Sequence, residues 1–123
     1  PPLAREGRFT VNFTVTNLLY TSALGNSDSK KFMATKRTLA YLLDRVLKKS
    51  SISPAYTGCT VVALRSKKNR DDTGVDAICS YRDEPSDAKF SRVTVYHELS
   101  NMTNGITKLG HYSLNSQSLY ING

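Results

Sequence analysis

The two cysteines, Cys59 and Cys79, constrain the fold of this chain more than any other feature of its sequence. Each lies in a short run of β-branched and apolar residues, and the connection between the runs, residues 66–74, is rich in charged and turn-forming residues. This pattern predicts a β-hairpin with strands over residues 59–65 and 75–81. Folding about the middle of the connection puts Cys59 opposite Cys79, within the distance that a disulfide requires.

Two alternatives to a disulfide are a structural metal site and a pair of separately buried thiols. The chain has only two histidines, His97 and His111, and no CxxC pair, so it lacks the ligand set of a structural zinc site. Two thiols buried for packing alone remain an alternative. A bridge would close a loop of about 20 residues, stabilise a small domain by roughly 3 kcal/mol, and persist only in an oxidising compartment.

The chain has 123 residues, 39% of them hydrophobic, which predicts one domain over residues 1–123 with an ordered core at 8–122 and a flexible linker at 1–7. The net charge of +7 favours anionic partners such as nucleic acid, sulfated glycan or acidic lipid, but a solvated surface is the simpler explanation. No apolar run approaches the roughly 20 residues of a membrane span, and the first residues lack a signal-peptide pattern. With a disulfide, these features predict a module of a longer secreted or membrane-anchored protein.

Hydrophobic periodicity predicts the first strand and the first helix. Residues 9–16 alternate between apolar and polar side chains, which is typical of a half-buried strand. Apolar residues between Phe32 and Leu47 fall on one arc of an amphipathic helix. Asp28 or Ser29 can cap this helix at its start, and residues 50–54 end it.

A second helix is predicted to open at residues 83–87 and to stop at Gly110. Its apolar stripe has spacings of three and four residues and consists of Val95, Leu99, Met102, Ile106 and Leu109. Residues 118–121 are predicted to form a short final strand.

The order strand, helix, strand, strand, helix, strand predicts an α+β fold. A βαββαβ chain packs most simply as a ferredoxin-like sandwich, with an antiparallel four-stranded sheet and both helices on one face. We expect the hairpin face that carries the cysteines to meet the core. That face also carries Val61, Ala63, Val75 and Ala77, and the opposite face carries Val62, Leu64 and Ile78.

Candidate catalytic residues are scarce. His97 lies opposite the apolar stripe and His111 follows Gly110, and neither has a nucleophile at a telling spacing. There is no phosphate-binding glycine loop, so the sequence predicts neither an enzyme nor a cofactor. Many βαββαβ domains bind RNA by stacking bases on aromatic residues of the central strands, but residues 75–81 offer only Tyr81. Nucleic acid is therefore not an expected partner.

Two N-glycosylation sequons are present, Asn12-Phe13-Thr14 and Asn101-Met102-Thr103. Asn12 lies on the polar face of the first predicted strand, and Asn101 lies away from the apolar stripe of the second predicted helix. Both asparagines are therefore expected to face solvent, which favours an extracellular glycoprotein.

Several motifs occur together between residue 9 and the end of the chain: residues 12–18, Phe32, Leu39, Leu42, Leu43, residues 56–59, 64–65, 74–79, 96–100, Thr103, Ile106, Leu109, Gly110 and residues 118–123. In this combination the sequence resembles the SEA domain family, and within it the tandem SEA modules of a giant cell-surface mucin. The resemblance implies an extracellular, membrane-proximal, non-enzymatic module that does not itself insert into the membrane. As an N-glycosylated spacer it would contribute to the mucin barrier and to glycan-mediated cell adhesion, with mesothelin as the partner.

The resemblance also bears on self-cleavage. Many SEA domains cleave themselves at a Gly-Ser bond in the turn between the second and third strands, where the serine hydroxyl attacks the preceding carbonyl. The matching dipeptide here is Gly74-Val75, and valine has no hydroxyl. Thr73 precedes the glycine instead of following it, so we expect an intact chain.

A carbohydrate-binding domain is the alternative function. It would recognise anionic glycans through a basic face. The candidate residues are Arg37, Arg45, Lys48, Lys67, Lys68 and Arg70.

Overall fold

The computed structural model describes residues 6–67, 72–83 and 90–123, and it has the predicted α+β architecture. A four-stranded antiparallel sheet is covered by helices on one face, and the opposite face is open. Along the chain the elements are β1 (Glu6–Val15), α1 (Ser22–Gly25), α2 (Lys30–Leu47), β2 (Tyr56–Ser66), β3 (Thr73–Arg82), α3 (Arg92–Met102), β4 (Lys108–Leu109), β5 (Tyr112–Ser113) and β6 (Tyr120–Asn122).

The strand order is β2-β3-β1-β6, and each neighbouring pair is antiparallel. β1 and β3 form the centre of the sheet, as expected for a ferredoxin-like βαββαβ sandwich. Most of the predicted linker, residues 1–7, lies outside the described residues. β1 begins at Glu6, so the last two residues of the predicted linker belong to the strand. β4 and β5 form a separate two-stranded sheet that the sequence did not predict.

β1 provides the centre of the core. Its apolar side chains are at most 3% exposed, as the alternation predicts. They form one core with apolar side chains of α2 and α3. The residues that β1, α2 and α3 contribute to this core are Phe9, Val11, Phe13, Val15, Leu39, Leu43, Leu47, Val95 and Leu99.

α2 begins and ends where the sequence predicts. Ser29 is its N-cap, and the Ser29 Oγ accepts a hydrogen bond from the backbone N–H of Phe32 at 3.0 Å. The helix ends at Leu47, whose carbonyl accepts a hydrogen bond from the buried Ser50 hydroxyl at 2.6 Å.

α3 is shorter than predicted. The apolar stripe predicted a helix that reached Leu109, but α3 ends at Met102. Residues 104–106 have positive φ angles of 55°, 75° and 61°, which a right-handed helix does not allow. Ile106 and Leu109 are nevertheless buried, because the chain folds back over the core after the helix. The stripe is therefore buried at Val95, Leu99, Ile106 and Leu109, but it is helical only as far as the half-buried Met102.

The ends of this predicted helix also need correction. Its predicted opening at residues 83–87 lies almost entirely outside the described residues, and the observed N-cap is Ser91. Gly110 does not stop a helix but lies in the turn between β4 and β5, with a φ of 60°. A Cβ atom at Gly110 would lie 2.7 Å from the side chain of Leu42, so the position favours glycine on two grounds.

A β-bulge in β2 changes the predicted faces of the hairpin. Val61 and Ala63 pair with adjacent residues of β3, so Val62 is the extra residue. Up to the bulge, the cysteine face is the core, as predicted. After it the pattern reverses, so Leu64, which was predicted to lie on the opposite face, is buried, whereas Ala63 is only half-buried.

Candidate functional site

A disulfide joins Cys59 of β2 to Cys79 of β3. The two residues are direct partners in the strand register, as the hairpin prediction requires. Cys79 is fully buried and is paired with Phe9 of β1 on its other side, while Cys59 lies half-buried against the core. Neither cysteine is a free thiol, so the alternative of two separately buried thiols is wrong.

Gly74 and Val75 lie inside β3 and not in the turn where self-cleaving relatives carry their Gly-Ser bond. Gly74 pairs with Thr14 of β1 and with Arg65 of β2, and its backbone is extended, without a left-handed φ. Val75 is fully buried. This dipeptide is thus part of a regular central strand.

The hydroxyl group nearest to this dipeptide in sequence is occupied. Thr73 is fully buried, and its Oγ1 donates a hydrogen bond to the carbonyl of Leu18 at 2.7 Å. Thr73 also precedes Gly74, whereas an N-to-O acyl shift needs the hydroxyl on the following residue. Val75 offers none, so the Gly74-Val75 bond has no side-chain nucleophile of that kind.

Asn12 lies on the open face of the sheet, as predicted, but is only partly exposed. Its amide Nδ2 donates a hydrogen bond to Asp76 Oδ1 at 2.5 Å. The guanidinium of Arg65 binds both oxygens of the same carboxylate, at 2.8 and 2.9 Å. This bidentate ion pair holds Asp76, and through it the amide of Asn12, in a fixed position.

Asn101 lies in the last turn of α3 and is exposed, as predicted. Thr103 of the same sequon is buried, and its Oγ1 donates a hydrogen bond to the carbonyl of Leu99 at 2.5 Å. The two sequons therefore differ: one asparagine belongs to a polar network on a sheet, and the other extends from a helix end.

The six basic residues predicted to form one glycan-binding face are not brought together by the described part of the fold. Arg37 and Arg45 are exposed on α2, and Lys48 is exposed at the C-cap that follows it. The C-terminus of α2 lies near the first residue of β2, whereas Lys67 follows the last residue of that strand. The two ends of β2 are roughly 35 Å apart. Lys68 and Arg70 lie outside the described residues.

A different basic cluster surrounds a groove of about 290 Å³ between α2 and the segment that follows α3. We call it the α2–β4 groove. It is lined by Leu42, Arg45, Val46, Lys49, Met102, Lys108, Leu109 and Gly110. Three of these residues are cationic and none is acidic, so the groove combines apolar walls with positive charge.

The cations of the groove make no salt bridge within the described part of the chain. Across residues 6–67, 72–83 and 90–123, no ion pair involves Arg45, Lys49 or Lys108. The guanidinium of Arg45 lies 5.8 Å from the centre of the Tyr41 ring, and the neighbouring Lys48 pairs with Asp44 at 3.3 Å.

Lys108 is not a candidate on sequence grounds, because a helix that runs to Leu109 gives no reason for Lys108 to lie near α2. The signal that would have revealed it is the dipeptide Asn104-Gly105, which favours a turn at that point. Lys49 is also absent from the six residues of the predicted basic face.

The start of β2 is tied to α2 by one hydrogen bond, from the hydroxyl of Tyr56 to Asp44 Oδ1, at 2.5 Å. Burial, together with the hydrogen bond and the negative charge of Asp44, raises the pKa of Tyr56 far above its ordinary value. Tyr56 therefore remains a neutral donor at physiological pH.

In the described part of the chain, no helix combines the length and the apolar character needed to cross a membrane. Within the same residues, no three His, Cys, Asp or Glu side chains are grouped in a way that could hold a metal ion.

The comparison with protein families agrees with the resemblance to the SEA domain family. A family model described as SEA domain matches residues 8–115, which span β1 to β5 and every helix between them. The match includes the bridged hairpin and the Gly74-Val75 dipeptide. Because it covers most of the chain, the protein belongs to the SEA domain family.

Proposed function

We propose that this SEA domain is an uncleaved, N-glycosylated structural module of a cell-surface mucin of the mucin-16 type. SEA domains occur in the extracellular parts of mucin-like cell-surface proteins and are in general non-enzymatic. The observation that carries the proposal is the hairpin, in which a disulfide joins the two strands and a buried valine follows Gly74. These features suit a spacer that stays intact.

The same proposal includes adhesion through N-glycans on Asn12 and Asn101, with mesothelin as the partner. Asn101 supports it because this asparagine is exposed on a helix end, where an attached glycan is accessible to another protein. The module would stand between O-glycosylated segments and present its N-glycans within the mucin layer.

The intact mass of the domain secreted from mammalian cells tests the first part. We expect one chain that gains two hydrogens on reduction and loses two glycans on enzymatic deglycosylation. The variants Asn12→Gln and Asn101→Gln serve as matched controls, each losing one glycan. Two fragments separating after reduction, split near residue 74, would contradict the uncleaved module.

Binding of the secreted domain to immobilised mesothelin tests the second part. We expect the double variant Asn12→Gln and Asn101→Gln to lose binding and each single variant to weaken it. Undiminished binding of the double variant would show that adhesion does not depend on these glycans.

A second candidate function is recognition of anionic glycans, and the α2–β4 groove is the observation that favours it. Its cations, Arg45, Lys49 and Lys108, replace the six-residue face that the sequence suggested. A pyranose has one relatively apolar face, which suits the apolar walls of the groove, and a carboxylate or sulfate suits the cations.

Retention of the unglycosylated domain on sialylated or sulfated glycan tests this candidate. We expect binding at physiological ionic strength that weakens as salt is added, and a loss of binding in the variant Lys49→Gln and Lys108→Gln. The double variant Lys31→Gln and Arg37→Gln is the matched control, because both residues are exposed on α2 but do not line the groove. An equal loss in both variants would point to non-specific attraction.

A further inference from the structure

The open face of the sheet places an exposed aromatic ring beside a sequon asparagine. Asn12 of β1 is the direct cross-strand partner of Tyr120 of β6, so both side chains lie on the same face of the sheet. Directly opposed residues have Cβ atoms about 5 Å apart. The side chain of Tyr120 is 55% exposed, although that of its neighbour Ile121 is buried in the core.

We propose that the first sugar of an N-glycan on Asn12 packs against the ring of Tyr120 and that this contact holds the glycan over the open face of the sheet. The inference rests on the proposed glycosylation of Asn12. It goes further by assigning Tyr120 as the intramolecular binding surface for that glycan.

The chemistry of the two groups is complementary. An N-acetylglucosamine ring presents several C–H groups on one face, and the face of an aromatic ring carries negative charge density that attracts them. Stacking also removes apolar area of both rings from water. Tyrosine suits this position because it keeps a polar hydroxyl at the edge of an otherwise apolar ring.

The hydrogen bond between Asn12 and Asp76 favours a sugar that extends from Asn12 towards β6. One amide hydrogen of Asn12 is directed at Asp76 of β3, which Arg65 holds in place. An N-linked asparagine keeps one N–H, and its other amide hydrogen is replaced by the anomeric carbon of the sugar. With the retained hydrogen on the Asp76 side, the sugar is attached away from β3, and β6 with Tyr120 is the strand that flanks β1 on its other side.

The second sequon provides an internal comparison. Asn101 lies at the end of α3, and the residues one turn before it, His97 and Glu98, are polar. The open face itself provides a control position in Val62, which is 49% exposed on β2, two strands away from β1. A substitution at Val62 changes an exposed apolar side chain of the same sheet without touching the proposed contact.

The experiment uses the mammalian-secreted domain with Asn101→Gln, so that Asn12 is the remaining sequon. The glycan is trimmed enzymatically to a single N-acetylglucosamine, and melting temperatures are compared with and without Tyr120→Thr, and with and without Asn12→Gln. We expect Tyr120→Thr to lower the melting temperature by about 3 °C more in the glycosylated protein than in the Asn12→Gln protein, as for one aromatic contact in a domain of this size. Val62→Thr should show no such difference.

Proton NMR of the trimmed protein adds a direct readout. Protons of the sugar that lie over an aromatic ring shift upfield, and we expect this shift in the wild type and its loss in Tyr120→Thr. An intact mass without sugar on Asn12 would overturn both the glycosylation of this site and the inference. A glycosylated Asn12 with unshifted sugar protons and equal effects of Tyr120→Thr in both backgrounds would overturn the inference alone.

Discussion

Alternate residues of β1 face two different environments. On the helix-covered side, Phe9 and Val11 are almost completely buried and belong to one core with apolar side chains of α2 and α3. On the open side, Thr10 donates a hydrogen bond to the carbonyl of Asn122, and Asn12 donates one to Asp76. One strand thus carries packing on one side and a polar, partly exposed network on the other.

This difference separates two kinds of substitution. A change on the covered side leaves a cavity in a close-packed core, which costs several kcal/mol. A change on the open side removes a hydrogen bond or ion pair that water partly replaces, which costs about 1 kcal/mol or less. Stability and glycan-related effects can therefore be altered independently within the same sheet.

Phe9→Ala is the strongest test of the covered side. The ring of Phe9 lies 4.8 Å from that of Phe90 and 6.1 Å from that of Tyr81, measured between ring centres, and it is 1% exposed. We expect a loss of about 3–5 kcal/mol in the free energy of unfolding, measured by urea denaturation. The adjacent Thr10→Ala on the open side should lose no more than about 1 kcal/mol. Equal losses would mean that the two sides do not differ as described.

Removal of the bridge is the next largest effect, because both cysteines are on the covered side. We expect Cys59→Ala with Cys79→Ala to lose about 3 kcal/mol in the same assay, since the bridge closes a loop with a sequence separation of 20. Reductant should destabilise the wild-type domain but leave this variant unchanged. A wild-type domain that is insensitive to reductant would contradict a stabilising bridge.

Tyr56→Phe removes the hydrogen bond to Asp44 at the edge of the covered side. We expect the free energy of unfolding to fall by about 1.5 kcal/mol at neutral pH, the value of a hydrogen bond to a charged group. The pKa of Tyr56 is raised by folding, so the stabilisation is complete below pH 10, where the unfolded tyrosine is still protonated, and decreases as the pH rises above it. We therefore expect the difference between wild type and variant to shrink above about pH 10 in urea titrations. A difference that stays constant with pH would contradict the raised pKa.

Asp76→Ala tests the open side and should have the smallest effect, about 1 kcal/mol, because it removes one acceptor from both Asn12 and Arg65. The ion pair between Arg8 and Glu6 is the control. Its side chains are 73% and 54% exposed, so Glu6→Ala should cost no more than about 0.5 kcal/mol. A loss for Asp76→Ala above 3 kcal/mol would show that the open side also supports the fold.

The strongly periodic parts of the chain were predictable from sequence. β1 alternates with a period of two, and α2 carries an apolar stripe and a capping serine, so local pattern and tertiary packing agree there. The pairing of Cys59 with Cys79 was also predictable, because the two cysteines lie at similar distances from the middle of the polar connection between two strand-like segments. The bulge in β2 lies between the turn and the cysteines, and its one extra residue shifts the register so that Cys59 lies opposite Cys79.

The features that were missed depend on backbone geometry or on distant segments. The bulge at Val62 is one extra residue in a run of β-forming residues, and the apolar pattern of such a run does not reveal it. The end of α3 was misplaced because the residues beyond it are still buried, so the hydrophobic spacing continues while the helix does not. The α2–β4 groove joins Lys49 to Lys108, and only the folded chain brings these segments together.

The register of β6 has a mechanical consequence. Because Asn122 is opposite Thr10 and the strands are antiparallel, the chain enters and leaves the sheet at the same end. A force that pulls these two ends apart breaks the β1–β6 hydrogen bonds one after another, because it does not load all of them at once. Three residue pairs hold β6 to β1, so β6 detaches first. The disulfide between Cys59 and Cys79 keeps the residues that it encloses from extending, which would otherwise add roughly 65 Å to the length of the chain.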